Sequence, residues 1–226
     1  MIKDDEGIFY ERQLPHYQPL DATYTVIFRL VGSLPAKVIV ELRAERDEFL
    51  RRLSGTDVAK RTKLRAYNLE HMKKFDSLLD RPSAGHQWLK NPGIAKLVAD
   101  SIHYWDKRAY ELLAFCIMPN HVHLVISSGT ASTIPLPEFP MKGQTSYHLT
   151  NILSSIKKYS AHNANRLLHR SGPFWQSESY DHIIRDEEEL ERTILYVLDN
   201  PAKAGLTNDW KEWPWNYVKE GSVDED

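Results

Sequence analysis

The sequence predicts an α+β fold in which helices pack on one antiparallel sheet. Three observations point there. Four short segments are rich in β-branched and aromatic residues, longer segments between them carry apolar residues at helical spacing, and Gly, Pro, Asn and Ser mark the junctions. Taking the helical segments between the first two strands as one crossover, the order is βαββαβ followed by a last helix. That is the split-βαβ layout of ferredoxin-like domains, with helices expected on one face of the sheet.

Each element rests on its own residues. ATYTVIFRLV (22–31) is a strand, ended by Gly32-Ser33-Leu34-Pro35. Val38, Val40, Leu42, Phe49, Leu50 and Leu53 show helical spacing over 36–53, and a second helical segment follows Ser54-Gly55-Thr56 over 58–79. Asn91-Pro92-Gly93 opens a helix over 94–110, with Ile94, Leu97, Val98, Ile102 and Trp105 on one side. ELLAFCIM (111–118) and the run 121–128 flank Pro119-Asn120 as strand, turn and strand. Residues 129–144 read as a surface loop, 145–170 as a helix, and FWQSESYDHIIR (174–185) as a strand. The helix over 186–199 begins with acidic residues suited to its N-terminal dipole, and Asn200-Pro201 ends it. The remainder, with Trp210, Trp213, Trp215 and Tyr217, reads as an aromatic tail packed back onto the body.

Composition narrows the function classes. With 226 residues, 42% hydrophobic and 27% charged, one globular domain with additions is expected. No apolar run approaches the ~20 residues that span a bilayer, and MIKDDEGIFYERQ lacks a signal peptide's apolar segment, so no membrane partner and a cytoplasmic location are expected. The single Cys116 excludes an internal disulfide and a cysteine-rich metal cluster. A net charge of −2 gives no global support for nucleic-acid binding, but charge is unevenly spread. Arg43–Lys74 holds ten Lys/Arg against five Asp/Glu, and Asn151–Arg185 five against two. Those runs are either a local basic face or solvated helix surfaces.

The chemistry-bearing residues come in two groups. His121 and His123 sit in IMPNHVHLVISS, two apart in a strand, so their side chains share one face with Cα atoms roughly 7 Å apart. Two imidazoles at that distance can converge on one metal ion, or can be ordinary core or surface histidines. Tyr196 and Asn200 stand i, i+4 on the last helix and project side by side. Their plain reading is a core tyrosine and a helix-terminal asparagine.

Taken together the motifs resemble a known family. MPNHVHLVI resembles the His-hydrophobic-His motif of single-tyrosine HUH transposases of the IS200/IS605 type, and is most similar to the REP-associated tyrosine transposases. LPHY, SGPFWQSESYDHIIRDEEEL, ILYVLDNPAKAGL and WPWNYV resemble further stretches of that family, in order, over roughly residues 14–218. The resemblance implies an RRM-like HUH core as one domain over 14–218, with a long helical crossover at about 36–80 and terminal tails at 1–13 and 219–226. It implies Tyr196 as nucleophile, His121, His123 and Asn200 as ligands of a divalent ion (Mg²⁺ or Mn²⁺), and single-stranded or hairpin DNA as partner. The activity implied is nicking and strand transfer through a covalent phosphotyrosine, by a monomer rather than a homodimer. Lys157, Lys158 and Arg166 are candidates for phosphate contacts, with Trp175 and Gln176 on the strand that leads to the catalytic helix. The alternative is a domesticated hairpin-binding relative with little catalysis. Two departures stand out: the acidic balance, and the lengthened segments Glu41–Asp80 and Gly129–Gln144.

Overall fold

A computed structural model describes residues 7–11, 15–19, 22–81, 85–128 and 148–222 of the chain. The elements run β1 (Gly7–Glu11), β2 (Pro15–Pro19), β3 (Thr23–Leu30), α1 (Ala36–Arg52), α2 (Asp57–Leu79), α3 (Pro92–Trp105), β4 (Glu111–Ile117), β5 (His121–Ser127), α4 (His148–Leu167), β6 (Trp175–Ile184), α5 (Glu187–Leu198), α6 (Asn200–Lys203) and β7 (Asn216–Val218). β1 and β2 pair as a separate antiparallel hairpin. The expected loop over 129–144 lies outside the described residues.

The main sheet has the order β6-β3-β5-β4-β7 and is antiparallel throughout. Its first four strands reproduce the order expected of a βαββαβ core. β7, within the segment expected as an aromatic tail, adds a fifth strand at the β4 edge. Three residues give too short a period to read, and their place is fixed by tertiary contacts: Phe115 stacks on Tyr217 at 5.5 Å, and Trp213 Nε1 donates to the Ile117 carbonyl.

Both faces of the sheet are covered, which corrects the one-face expectation. On one face, Val26, Phe28, Val122, Leu124 and Ile126 pack under Ile94, Val98 and Ile102 of α3 and Ile152 and Ile156 of α4. The opposite face carries Ala114, Cys116 and Val125 under Ile194, Val197 and Leu198 of α5, and Ile27 under Met72 and Leu79 of α2. Helical periodicity identifies a buried stripe but not the face it meets. α3 is therefore the helix of the first crossover proper, while α1 and α2 form an antiparallel pair laid across the other face. Phe49 stacks on Tyr67 at 3.9 Å and Lys74 pairs with Glu45 at 2.6 Å along that pair.

Capping sets the helix starts. Asn91 Oδ1 accepts from the Gly93 amide ahead of α3, which has Pro at its first position, and Asp186 Oδ1 accepts from the Glu189 amide ahead of α5.

Candidate metal centre beside a tyrosine

His121 and His123 lie on the α2/α5 face and are almost wholly buried, because β5 alternates and its other side chains fill the α3/α4 core. Their Nε2 atoms are 3.0 Å apart. Asp76, on the buried stripe Met72, Asp76, Leu79 of α2, brings Oδ1 to 3.2 Å from His121 Nε2 and 3.0 Å from His123 Nε2. The α2 register over the strand is held by Asn120, whose Nδ2 donates to the Leu79 carbonyl at 2.8 Å. The same bond turns Asn120 Oδ1 toward His121 Nδ1, 2.6 Å away, so that Nδ1–H donates and Nε2 keeps its lone pair toward Asp76.

Those distances test whether the residues suit a cation. Asp76 Oδ1 is buried and accepts no hydrogen bond, although two imidazole nitrogens face it. Burial holds His121 toward its neutral form. Two imidazole nitrogens and one carboxylate oxygen thus converge within 3.2 Å of one another in a buried site, a donor set that a shared cation would satisfy. The three donor atoms are close enough together to be held by one ion. The donor set fits a divalent metal.

The other Asp76 oxygen holds the last helix. Tyr196 Oη donates to Oδ2 at 2.8 Å and Asn200 Nδ2 at 3.1 Å. Asn200, expected as the third ligand, therefore lies with its amide nitrogen on the carboxylate rather than with the imidazoles. Asp76, which the sequence reading did not single out, fills the place beside them. Its signal was present: an acid at i+4 and i−3 from Met72 and Leu79 interrupts an apolar helical stripe.

Electrostatics follow from burial and proximity. Burial works to raise the Asp76 carboxyl, but His123 and His121 more than offset it and hold it well below the usual carboxylate range. Burial, then Asp76, push Asp80 up to about 7. Burial and then Asp76 raise the Tyr196 phenol, so it stays protonated while it donates to that carboxylate. Cys116 is buried and its thiol pushed up by desolvation, which makes it an inert core residue.

The expected DNA contacts are distributed differently. Lys157 is turned inward: Nζ donates to the Gln176 and Ser177 carbonyls and to Ser179 Oγ, at 3.1, 3.2 and 2.7 Å, which uses all three of its hydrogens. Trp175 is 8% exposed, donates Nε1 to Ser160 Oγ at 2.9 Å and packs edge-on against Phe28, so it is a core residue rather than a stacking platform. Lys158 and Arg166 are exposed on α4, across the sheet from the histidines. Gln176 lines a cleft on the histidine side.

A protein of Haemophilus influenzae named as a REP-associated tyrosine transposase is 29% identical over 108 residues, spanning 47% of this chain and 58% of that protein. The chain is similar to REP-associated tyrosine transposases. It spans somewhat over half of that relative's length. A solved structure of a REP-associated tyrosine transposase bound to a REP hairpin aligns over 91% of this chain and 82% of its own, at a TM-score of 0.50 and 14% identity. At that identity the likeness to the transposase structure shows the fold alone. No family model matches the chain. The resemblance read from the motifs is borne out by the transposase relative, and the α+β fold by the transposase structure. No described helix is long and apolar enough to cross a membrane.

Proposed function

We propose that the chain, as one domain over 14–218, nicks and transfers single-stranded DNA at palindromic hairpins, using Tyr196 as nucleophile beside a divalent ion held by Asp76, His121 and His123. The observation that carries this reading is the shared carboxylate. One oxygen of Asp76 faces two imidazole nitrogens and the other holds the Tyr196 hydroxyl, so a cation site and a nucleophile are joined through a single side chain. The solved relative's REP hairpin supports hairpin DNA as the substrate class.

In the reaction, Tyr196 Oη attacks phosphorus and the bond from phosphorus to the preceding 3′-oxygen breaks. Tyr196 gives up its phenolic proton as it attacks, the released 3′-oxygen takes up a proton, and the downstream fragment stays on the tyrosine through its 5′-phosphate, as a phosphodiester. Because the bond energy is kept, a 3′-hydroxyl can reverse the step and rejoin strands. A Mg²⁺ or Mn²⁺ ion supplies charge that offsets the phosphodiester and the Asp76 charge opposing phenolate formation. Asn200 keeps Asp76 oriented, and the Asn120–His121 bond keeps the imidazole lone pair on the cation side.

A nicking assay tests the proposal. Labelled single strands carrying palindromic hairpins from the chain's own genome are incubated with Mn²⁺ or with chelator. Cleavage is expected only with metal, and is expected to fall at least a hundredfold in His123→Ala and Asp76→Ala while gel-shift retention of the hairpin persists. Cleavage that survives chelation, or is untouched in Asp76→Ala, contradicts the metal assignment. Retention without cleavage in the unaltered chain favours a hairpin-binding protein instead.

A further inference from the structure

A cleft beside the metal centre has an unusual lining. It opens between α1, α2 and the β3–β6 half of the sheet, on the same face as the histidines, with Arg29, Arg43 and Arg46 around a floor that includes Ile27, Phe75 and Tyr180. Glu178 is the one carboxylate among the lining residues. Arg29 is the telling member. It is 6% exposed, yet among the described residues no carboxylate pairs with it. Nη1 donates to Ser33 Oγ at 3.0 Å, and the guanidinium lies 5.8 Å over the Phe75 ring. A guanidinium presents five donors, and a buried one without an anionic partner is costly.

The sheet register fixes how this cleft relates to the metal centre. Arg29 is directly opposite His121, and Ile27 is opposite His123 on one side and Tyr180 on the other. Neighbouring strands stand about 4.8 Å apart, so the arginine is a single strand away from the imidazoles. Phe75, in that floor, immediately precedes Asp76. The α1–α2 pair, which lengthens the first crossover, therefore contributes both the carboxylate of the site and, through Arg43 and Arg46, cations next to it.

We propose that this cleft is a phosphate-binding subsite, in which Arg29, Arg43 and Arg46 hold a backbone phosphate of the DNA strand next to the one that Tyr196 attacks. This rests on the nicking function proposed above and adds the residues that seat the strand. Arginine suits the task because its planar fork meets two phosphate oxygens at once. The half-buried Phe75 and Tyr180 rings offer apolar surface to the attached sugar or base.

The test uses Arg43→Ala/Arg46→Ala, since both residues are only half buried, with Lys96→Ala/Arg108→Ala as a control of equal charge on the α3 side. Binding of labelled flanked-hairpin DNA is measured against salt, on normal strands and on strands carrying one neutral methylphosphonate at successive positions near the nick. The expected result is at least a tenfold loss of affinity for the cleft variant only, with a salt slope shallower by roughly 0.7 per lost phosphate contact. One methylphosphonate position should weaken the unaltered chain and leave the cleft variant unchanged. Equal losses in cleft and control variants, or no position at which the two effects overlap, overturns the subsite, as does a cleft that takes inorganic phosphate while DNA binding is unaffected by its loss. If the unaltered chain binds no hairpin DNA at all, the nicking proposal fails instead, so the two failures are distinct.

Discussion

At the residue scale, the site depends on how Asp76 divides its two oxygens. Oδ2 is held by the Tyr196 hydroxyl and the Asn200 amide, while Oδ1 is left to the imidazoles. Replacing the carboxylate by an amide removes the anionic donor with little change of shape. Asp76→Asn is thus expected to weaken Mn²⁺ binding by at least tenfold in calorimetric titration. Binding at the unaltered affinity would show that the carboxylate is not a ligand. The proximity of His121 to His123 and of Tyr196 to Asn200 was legible in the sequence because each pair is local, two apart in a strand or four apart along the chain. Asp76 shows in the sequence only as an acid interrupting an apolar stripe; its meeting with the histidines depends on the way α2 lies over the sheet.

At the element scale, α5 must be anchored for Tyr196 to meet Asp76. Asp186 caps the helix, and Glu189 reaches both His182 Nε2 at 2.9 Å and the Arg185 amide at 3.1 Å. Loss of the cap in Asp186→Ala is expected to cost about 1 kcal/mol in urea unfolding; no measurable loss would mean that the cap does not set the helix start. Lys157 ties α4 to β6 in a similar way, and its pH dependence reports the burial. Desolvation lowers it from an ordinary 10.5 to about 8, despite an opposing contribution from Glu178. Between those values the unfolded chain binds more protons than the folded one. Its contribution to stability is therefore complete above about 10.5 and is lost as pH falls through about 8. Unfolding free energy should rise from pH 8 toward 10, and rise less in Lys157→Met; parallel curves for the two proteins would contradict the inward lysine. The four core strands and most helices were legible from their periods, whereas the β1–β2 hairpin, β7 and the assignment of helices to faces were not read from any local pattern.

At the scale of the whole molecule, the site is assembled from distant parts of the chain. Asp76 and Asn200 are 124 residues apart, and the site forms only when α2, β5, α5 and α6 are all in place. A metal that binds this assembly binds the folded state alone, and at a hundred times its dissociation constant it adds about 2.7 kcal/mol. For a chain of this length that corresponds to a rise of roughly 5–10 °C in Tm. The rise should appear with Mn²⁺ and vanish in His121→Ala, which calorimetry can follow; an equal rise in the variant would place the bound metal elsewhere. The acidic overall balance that set this chain apart in sequence is compatible with a DNA partner, because the arginines of the cleft are concentrated on the face that carries the histidines.

The most direct test of the central claim is to trap the covalent product. The unaltered chain and Tyr196→Phe are each incubated with labelled hairpin DNA and Mn²⁺, separated on a denaturing gel, digested, and the DNA-bearing peptide sequenced by mass spectrometry. The account predicts one adduct, formed only with metal, carried by Tyr196 and absent from Tyr196→Phe, which still retains the hairpin. An adduct on another residue, or one that persists in Tyr196→Phe, would contradict it.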